Sequence, residues 1–384
     1  MRIAFFTETY LPNRDGVVSS IINTRKELER RGHEVYIFCS GSSKAKKENK
    51  DKNVFYYTST TFKPYPQYRV AIFPFLAERK VKTLKIDVIH THGMATMGLA
   101  ALQASRMLKI PLVSTFHTFV TEAMHYITKR DLLKGLTQRI AWTYLRWYLN
   151  RCNLVIAPST VAKGMLEKYK VKNIDILPSG IDLGRFNPEV DGNDIRKRWN
   201  LEDRIVALHV GRVALEKNLE LLIDASLLVL EELPNTTFVI VGTGPALEHY
   251  KNLVIRHNVE KSFIFTGLVK DEELPSYYSA SDVLVFPSKF ETQGLVALEA
   301  MACGKPVAGA DYLAIKELVK DGYNGYLFDI NSVDDCAEKV IKTIKKRKEL
   351  SKNAVETAKE YGIEKSVDRL VEIYKRCVKK QFKL

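Results

Sequence analysis

Short apolar runs alternate with longer amphipathic stretches along the whole chain. In the first half the apolar runs predict strands, and the stretch Val18–Arg31 between two of them has the period of an amphipathic helix. Alternating strands and helices are typical of a parallel sheet with crossover helices. The strands predicted in the first half are Ile3–Phe6, Glu34–Phe38, Val88–His90, Pro111–Thr115 and Leu154–Ala157.

The second half repeats this order of elements. Its predicted strands are Ile205–Val210, Thr237–Val241, Phe263–Phe265, Val283–Phe286 and Pro306–Ala308. A chain of 384 residues also exceeds the size at which a single hydrophobic core usually stops growing. We therefore predict an α/β protein with two doubly wound, Rossmann-like domains. Ligands of such sheets bind beyond the carboxyl ends of the strands, so we expect the site in an interdomain cleft.

The domain boundary is predicted where turn-forming residues cluster, in Pro178–Pro188, because no helical or strand period is visible there. The predicted organisation is a first domain over residues 1–180, a linker over 181–190, a second domain over 191–364 and a carboxyl-terminal helix over 365–384. The polar stretch Ser40–Lys52 predicts a loop.

The charge of the chain is concentrated in its first half. Residues 1–180 contain 29 basic and 13 acidic residues, a net charge of +16, whereas residues 181–384 contain 30 basic and 32 acidic residues, a net charge of −2. Such an asymmetry indicates a polyanionic partner of the first half, either an anionic membrane or nucleic acid. The alternative is a charge excess that only keeps the chain in solution.

No sequence window approaches the apolar length of a membrane-spanning helix, and the amino terminus has the pattern of a strand. The five cysteines form no C-x-x-C pair and are odd in number. We therefore expect a cytoplasmic chain with reduced thiols.

Two loops of the second half carry candidate binding residues. In the first, Gly211 ends a strand and is followed by Arg212 and by Lys217 five residues later. A guanidinium fork and a flexible ammonium at this spacing suit a diphosphate. The alternative is that both cations are solvated surface charges.

The second loop follows another predicted strand and opens the helix predicted over Val296–Cys303. The backbone N–H groups at such a start, around Gly294 and Leu295, favour a phosphate. Glu291 precedes this start and Glu299 lies about two turns along the helix. Carboxylates accept hydrogen bonds from vicinal hydroxyls, so one of them would hold a sugar and the other a ribose.

A glycine-rich turn, with Gly242 and Gly244, follows a third strand of the second half. It has neither a third glycine nor an acidic residue at the distance that the dinucleotide fingerprint requires. It therefore indicates a tight loop at the rim of the same site and speaks against a dehydrogenase.

In the first half, Gly16 lies between the first strand and its helix, where a backbone N–H would approach a phosphate or where glycine only serves a turn. His117 lies beyond the end of a strand, so a catalytic role and a structural one both remain open. His90 and His92 end another strand, but no third ligand at metal-binding spacing follows, so no metal site is predicted.

Two segments of the first half are candidates for contact with a hydrophobic acceptor. Pro64–Leu76 is aromatic and apolar, and Tyr126–Arg151 mixes basic residues with Leu, Ile, Tyr and Trp. The second segment has the composition of a helix at a membrane interface. It is equally compatible with a helix packed into its own domain with snorkelling cations.

Taken together, these motifs resemble the retaining glycosyltransferases of the GT-B fold, in glycosyltransferase family 4 or group 1. The resemblance covers nearly the whole chain, and its most specific parts are Gly211-Arg212 with Lys217 and the block Phe290–Ala302. Within that family, Thr7–Pro12, Thr115–Thr118 with His125–Ile127, and Glu291–Gly294 look most like diacylglycerol glucosyltransferases.

The resemblance implies a nucleotide-sugar donor, UDP-glucose in particular, a lipid acceptor such as diacylglycerol, retention of configuration and no obligatory metal or cofactor. It implies that Gly16, Arg212 and Lys217 hold the diphosphate. It also implies that Glu291 holds the sugar, Glu299 the ribose, and that His117 lies near the sugar. The carboxyl-terminal helix is expected to return to the first domain, and the enzyme to act peripherally on the inner face of the cell membrane.

Two alternatives remain at this point. In the first, the enzyme uses the same donor, but its acceptor is a soluble glycan or a small polar molecule. In the second, the chain is a basic nucleic-acid-binding protein. This alternative leaves the loops of the second half unexplained, and the sequence has no compact nucleic-acid-binding motif. No nucleic-acid partner is therefore predicted.

Overall fold

The structure, a computed structural model, describes residues 1–13, 15–61, 69–72, 74–117 and 131–381. Residues 64–68 and 73 of the candidate segment Pro64–Leu76, residues 126–130 of Tyr126–Arg151, and His125–Ile127 lie outside the described residues. The chain forms two compact units, one of Met1–Gly180 with Ile363–Leu384 and the other of Ile181–Gly362.

Within the described residues, the first unit contains an eight-stranded sheet in the order β4-β3-β2-β1-β5-β6-β7-β8. Its pairs are parallel except for the antiparallel pair β3 and β4. The strands are β1 Arg2–Thr7, β2 Glu34–Gly41, β3 Val54–Thr61, β4 Arg69–Ala71, β5 Val88–Thr91, β6 Leu112–Thr115, β7 Leu154–Ala157 and β8 Ile174–Ile176. The helices are α1 Gly16–Arg30, α2 Ser43–Glu48, α3 Ala77–Thr83, α4 Thr96–Leu108, α5 Asp131–Leu149 and α6 Thr160–Lys168, together with the carboxyl-terminal helix α15 Ile363–Gln381.

The carboxyl-terminal helix α15 is part of the first unit because its apolar stripe completes the core there. Val367, Leu370 and Tyr374 recur at helical spacing, are buried, and belong to the same core cluster as strand β1. Arg31, at the end of α1, bonds the backbone carbonyl of Glu364 and pairs with Asp368. The last helix therefore packs on α1 and the sheet of the first unit.

The second unit contains, among the residues described, a six-stranded sheet in the order β11-β10-β9-β12-β13-β14, and the strand pairs recorded in it are parallel. The strands are β9 Ile205–Val210, β10 Thr236–Val241, β11 Phe263–Gly267, β12 Val283–Phe286, β13 Val307–Ala310 and β14 Gly325–Phe328. The helices are α7 Asn193–Arg198, α8 Leu219–Glu232, α9 Leu247–Arg256, α10 Leu274–Ala280, α11 Leu295–Ala302, α12 Ile315–Leu318, α13 Val333–Lys345 and α14 Arg347–Lys359.

Both faces of the second sheet are buried, as the apolar strands of a parallel sheet require. Along β9, Val206, Leu208 and Val210 face one core cluster, whereas Ala207 between them faces the other. The strand order reverses between β9 and β12, and in the first unit between β1 and β5. These two positions are the topological switch points at which doubly wound sheets bind ligands. The prediction of two Rossmann-like α/β domains is confirmed.

Residues 181–190, predicted as a linker, form turns that belong to the second unit, where the N–H of Ile181 donates to the carbonyl of Tyr361 at 2.9 Å and Phe186 contacts Tyr278. Part of Ser40–Lys52, expected as a loop, is helical. Ser42 caps α2 by accepting a hydrogen bond from the N–H of Ala45 at 3.0 Å, and good helix formers follow it.

Among the described helices, none combines the length and the apolar character that a membrane crossing requires. The five cysteines all lie in the described residues, where each is buried and carries a free thiol.

Candidate functional site

The loop after β9 places two cations at the switch point of the second sheet. Gly211 leaves the strand with φ +151°, a conformation that favours glycine. Arg212 follows it, and Lys217 ends a short 3₁₀ turn before α8. Arg212 Nη1 lies 3.6 Å from Glu216 Oε1 in the same loop, and both side chains are largely buried. The two cations therefore sit in the protein rather than on a solvated surface.

The loop after β12 meets the loop after β9. The N–H of Lys289 donates to the carbonyl of Glu216 at 2.9 Å, which ties the two loops together. Lys217 Nζ lies 2.5 Å from Glu291 Oε1 in an ion pair whose side chains are 19% and 15% exposed. The structure thus brings Arg212, Lys217 and Glu291 together from two segments about 75 residues apart.

Helix α11 starts directly beside this pair. Gly294, the residue before the helix, has φ +87°, and a Cβ atom there would lie 2.7 Å from Ile315 Cδ1. The left-handed backbone conformation therefore favours glycine at this position. The N–H groups of Leu295 and its neighbours lie in the first turn, where a helix has no internal acceptors and favours an anion.

Gly242 and Gly244 support the loop that carries Arg212. A Cβ atom on Gly242 would lie 1.9 Å from the carbonyl oxygen of Gly211, and one on Gly244 would lie 2.2 Å from that of Val213. Backbone hydrogen bonds of 3.0 Å from Gly211 to Val241 and from Val213 to Thr243 join the two loops. The close approach of two backbones thus explains both glycines without a ligand.

Glu299 lies farther along α11 and is held by a different partner. It accepts a hydrogen bond of 2.7 Å from the hydroxyl of Tyr278, a buried residue of α10. Burial raises the pKa of Glu299 to about 7. A carboxyl group with this pKa can accept a hydrogen bond from a ribose hydroxyl and can also donate one when protonated.

In the first unit, strands β1, β5 and β6 end in the polar residues Thr7, Thr91 and Thr115. Gly16 is the first residue of α1, and Asp15 before it accepts a hydrogen bond of 2.9 Å from the N–H of Val18. Arg14 lies outside the described residues. Gly16 and His117 belong to a different unit from Arg212, Lys217, Glu291 and Glu299.

His117 forms a contact that its sequence position did not predict. His117 Nε2 and His92 Nδ1 share a hydrogen bond of 2.9 Å, and the two rings stack. His90 is bonded to the hydroxyls of Tyr374 at 2.6 Å and Thr115 at 2.7 Å. Burial lowers the pKa of His117 to about 4 and that of His90 to about 3. All three rings are therefore neutral at pH 7, since burial also holds the pKa of His92 well below its usual range.

Glu8 was not predicted as a site residue. It follows β1 directly and is buried, and its Oε1 accepts hydrogen bonds from the N–H groups of Met97 at 3.0 Å and Gly98 at 3.3 Å. Burial raises the pKa of Glu8 to about 7. The signal in the sequence is a charged residue immediately after an apolar strand.

The second unit holds further residues that sequence reasoning missed. Glu216 pairs with Arg212, and Tyr278 holds Glu299. His209, buried within β9, bonds the carbonyl of Val285 at 3.2 Å, and burial lowers its pKa to about 4. The residues described here include no group of three or more His, Cys, Asp or Glu side chains placed to hold a metal ion.

A doubly wound sheet with cations and a helix start at its switch point is the arrangement of proteins that bind nucleotides. Comparison with known proteins gives the family. A model described as Glycosyltransferase Family 4 matches residues 14–185, and one described as Glycosyl transferases group 1 matches residues 191–361. The chain belongs to this family of GT-B glycosyltransferases, which use a nucleotide-sugar donor.

Several relatives cover most of the chain. An alpha-monoglucosyldiacylglycerol synthase of Streptococcus pneumoniae is 32% identical over 85% of this chain and 75% of its own length. A protein of the same name from Acholeplasma laidlawii is 31% identical over 95% and 94%. A GDP-mannose-dependent alpha-mannosyltransferase of Mycolicibacterium smegmatis is 28% identical over 88% and 86%.

The fold of this chain also matches the folds of solved structures of other proteins. HepE of Anabaena, crystallised with UDP and glucose, superimposes with a TM-score of 0.77 at 22% identity, covering 98% of this chain and all of its own. Sucrose-phosphate synthase of Thermosynechococcus elongatus gives a TM-score of 0.78 at 20% identity over 98% of each chain.

Proposed function

We propose that this glycosyltransferase moves glucose from UDP-glucose to a lipid acceptor such as diacylglycerol, with retention of anomeric configuration. The observation that carries the proposal is the convergence of Arg212, Lys217 and Glu291 at the switch point of the second sheet. The glucose donor and the lipid acceptor are supported by the two synthases that are 31–32% identical to most of the chain.

The proposed site assists the reaction by electrostatic stabilisation of the leaving group. As the bond between sugar and diphosphate breaks, negative charge grows on the diphosphate. Arg212, Lys217 and the first turn of α11 are placed to stabilise that charge without rearrangement of solvent. In the front-side mechanism that the family resemblance implies, the leaving phosphate itself accepts the proton of the acceptor hydroxyl.

The remaining residues have proposed roles at the two ends of the donor. Glu291 accepts hydrogen bonds from the sugar hydroxyls, and Glu299 from the ribose. Gly16 offers a backbone N–H to the diphosphate, whereas the loop with Gly242 and Gly244 fixes the position of Arg212. His117, neutral and bonded to His92, offers the sugar a hydrogen bond rather than a proton.

A membrane surface is the proposed location of the acceptor, and α5 is the proposed contact. Leu136, Ile140 and Trp147 form a stripe at helical spacing and are 56%, 61% and 40% exposed. The stripe is flanked by exposed basic residues, of which Arg151 stacks on Trp147 at 4.3 Å. An apolar stripe with basic flanks is typical of a helix that lies in an anionic membrane interface.

A donor and acceptor screen tests the proposal. The full chain is incubated with UDP-glucose, UDP-galactose or GDP-mannose and with diacylglycerol in anionic vesicles, and nucleotide release and transfer of labelled sugar into an organic extract are measured. We expect labelled glucose in the organic phase from UDP-glucose, and an α-linked product by proton NMR. An organic extract without label, from a chain that binds UDP-glucose, would contradict the lipid acceptor and leave the alternative, a soluble glycan or small polar acceptor.

A further inference from the structure

The two cations assigned to the donor diphosphate are both paired with carboxylates of the second unit. Lys217 Nζ lies 2.5 Å from Glu291 Oε1, and Arg212 Nη1 lies 3.6 Å from Glu216 Oε1. In each pair the side chains are 19% and 15% exposed. The four charges sum to zero, so a diphosphate enters a site whose positive charge is already matched by internal carboxylates.

The carboxylate of Glu291 repels a diphosphate that contacts Lys217 and competes with it for the ammonium group. The loops that carry the two residues are tied by the hydrogen bond between Lys289 and Glu216, so Glu291 is held near Lys217 by the backbone. An ammonium group has three N–H donors and can contact a phosphate and a carboxylate together. The two anions then lie close to each other in a partly buried site, where their repulsion is weakly screened.

An intact nucleotide sugar removes the competition between Glu291 and the diphosphate for Lys217, whereas a nucleoside diphosphate does not. The sugar hydroxyls donate hydrogen bonds to Glu291 and replace Lys217 as its partner, which leaves the ammonium group to the phosphate. A nucleoside diphosphate has only ribose hydroxyls, and these are assigned to Glu299, which is held elsewhere by Tyr278.

We propose that Glu291 is an internal competitor for Lys217, which makes the site prefer an intact nucleotide sugar over the nucleoside diphosphate product. This inference rests on the proposed function, in which Lys217 contacts the diphosphate and Glu291 the sugar. Its consequence is that the product diphosphate leaves more readily once the sugar has been transferred.

Glu216 offers a matched control. It is as buried as Glu291 and also pairs with a cation of the site, but it has no assigned contact with the sugar. Removal of its charge therefore strengthens the attraction of Arg212 for both ligands alike, whereas removal of the charge of Glu291 benefits only the ligand without a sugar.

Calorimetric titration of UDP and UDP-glucose into the full chain tests the inference, with Glu291→Gln, Glu216→Gln and Lys217→Met compared with the wild type. We expect Glu291→Gln to lower the Kd of UDP about fivefold, the size expected for one partly exposed ion pair. The ratio of the Kd of UDP to that of UDP-glucose should fall by at least the same factor. Glu216→Gln should leave this ratio unchanged.

The double variant Lys217→Met with Glu291→Gln completes a mutant cycle. In the background of Lys217→Met, the change at Glu291 should tighten UDP less than it does in the wild type, because competition for the cation is absent and only the repulsion between Glu291 and the diphosphate remains. Unchanged or weaker UDP binding by Glu291→Gln, with normal binding by the wild type, would overturn the inference and leave the proposed function standing. A wild type that binds neither compound would overturn the proposed donor, and this inference with it.

Discussion

Arg212 stands out at the scale of single residues because its environment supports a charge without exposing it to solvent. Its side chain is only 19% exposed, and it lies within reach of Glu216 in a loop held by backbone bonds to the neighbouring turn. A guanidinium held in this way is preorganised for the charge that develops on a leaving diphosphate.

Arg212→Ala is expected to lower kcat by ~10² to 10³ while the fold survives, the size typical of the loss of one preorganised donor. Nucleotide release under saturating donor measures the rate, and thermal unfolding checks the fold. Arg212→Lys is the control, since it keeps the positive charge and loses the forked guanidinium group. Its kcat should lie between that of Arg212→Ala and that of the wild type. A near-normal rate for Arg212→Ala would contradict the assignment.

Glu8 is the buried carboxyl group whose pKa has the clearest consequence for stability. Burial raises its pKa from 4.5 to about 7, so the folded protein holds a proton there that the unfolded chain releases. The stabilising contribution of the protonated group is complete below pH 4.5 and is lost as the pH rises through 7. The buried histidines have the opposite shift and act in the opposite direction.

Glu8→Gln stays neutral at every pH and keeps an oxygen that accepts from Met97 and Gly98. The unfolding free energy of the variant minus that of the wild type should therefore rise by about 3 kcal/mol between pH 4.5 and pH 8. Urea unfolding at several pH values measures this difference, in which the contributions of the histidines cancel. Parallel stability curves for the two proteins would show that Glu8 does not titrate in this way.

At the scale of elements, the loops after β9 and β10 act as one unit. Their contact depends on Gly242, where a Cβ atom would lie 1.9 Å from the carbonyl oxygen of Gly211 and where φ is +133°. Sequence reasoning placed this glycine at the rim of the site, and the structure shows that its neighbour is the backbone that carries Arg212.

Gly242→Ala is expected to displace the loop of Arg212 and to destabilise the fold by about 2 kcal/mol, within the range for a non-glycine residue forced into such a conformation. UDP binding should weaken as well. Gly164→Ala in α6 is the matched control, because a Cβ atom there meets nothing within 4 Å. This control should be neutral or stabilise by about 0.5–1 kcal/mol. Unfolding curves measure the stability of both variants, and calorimetric titrations measure their affinity for UDP.

At the scale of the whole molecule, charge and exposed apolar surface coincide in the first unit. The net charge of residues 1–180 is +16, and the apolar stripe of α5 lies in the same part of the chain. Neither feature alone distinguishes a membrane partner from a charge excess. Together they favour an anionic lipid surface.

Vesicle sedimentation should show this preference. The full chain is expected to bind vesicles that contain phosphatidylglycerol more strongly than neutral vesicles, and binding should fall in 1 M salt, where the Debye length shrinks to about 3 Å. Ile140→Ser with Trp147→Ser should weaken binding at least about tenfold through lost apolar burial. Ile255→Ser with Leu268→Ser, which changes exposed apolar residues of the second unit, should leave binding unchanged.

The sequence by itself determined the class of fold, most of the strands and the positions of the candidate charges. Periodicity is a local property, so β9 and β12 were predicted with the bounds that the structure has. Strands β3, β4, β8 and β14, which lie at or next to an edge of their sheets, were not predicted, since such strands are short or polar and lack the continuous apolar run of central ones.

Only the tertiary structure decided which of these residues meet. The pair of Lys217 with Glu291 joins residues 74 positions apart, and the pair of His92 with His117 joins residues 25 positions apart. Such contacts depend on the order of strands in the sheet and on the paths of the loops, and no local pattern of apolar and polar residues encodes them. The spacing of Arg212, Lys217, Glu291 and Glu299 indicated a donor site. The folded chain added that Lys217 is paired with Glu291 and Arg212 with Glu216.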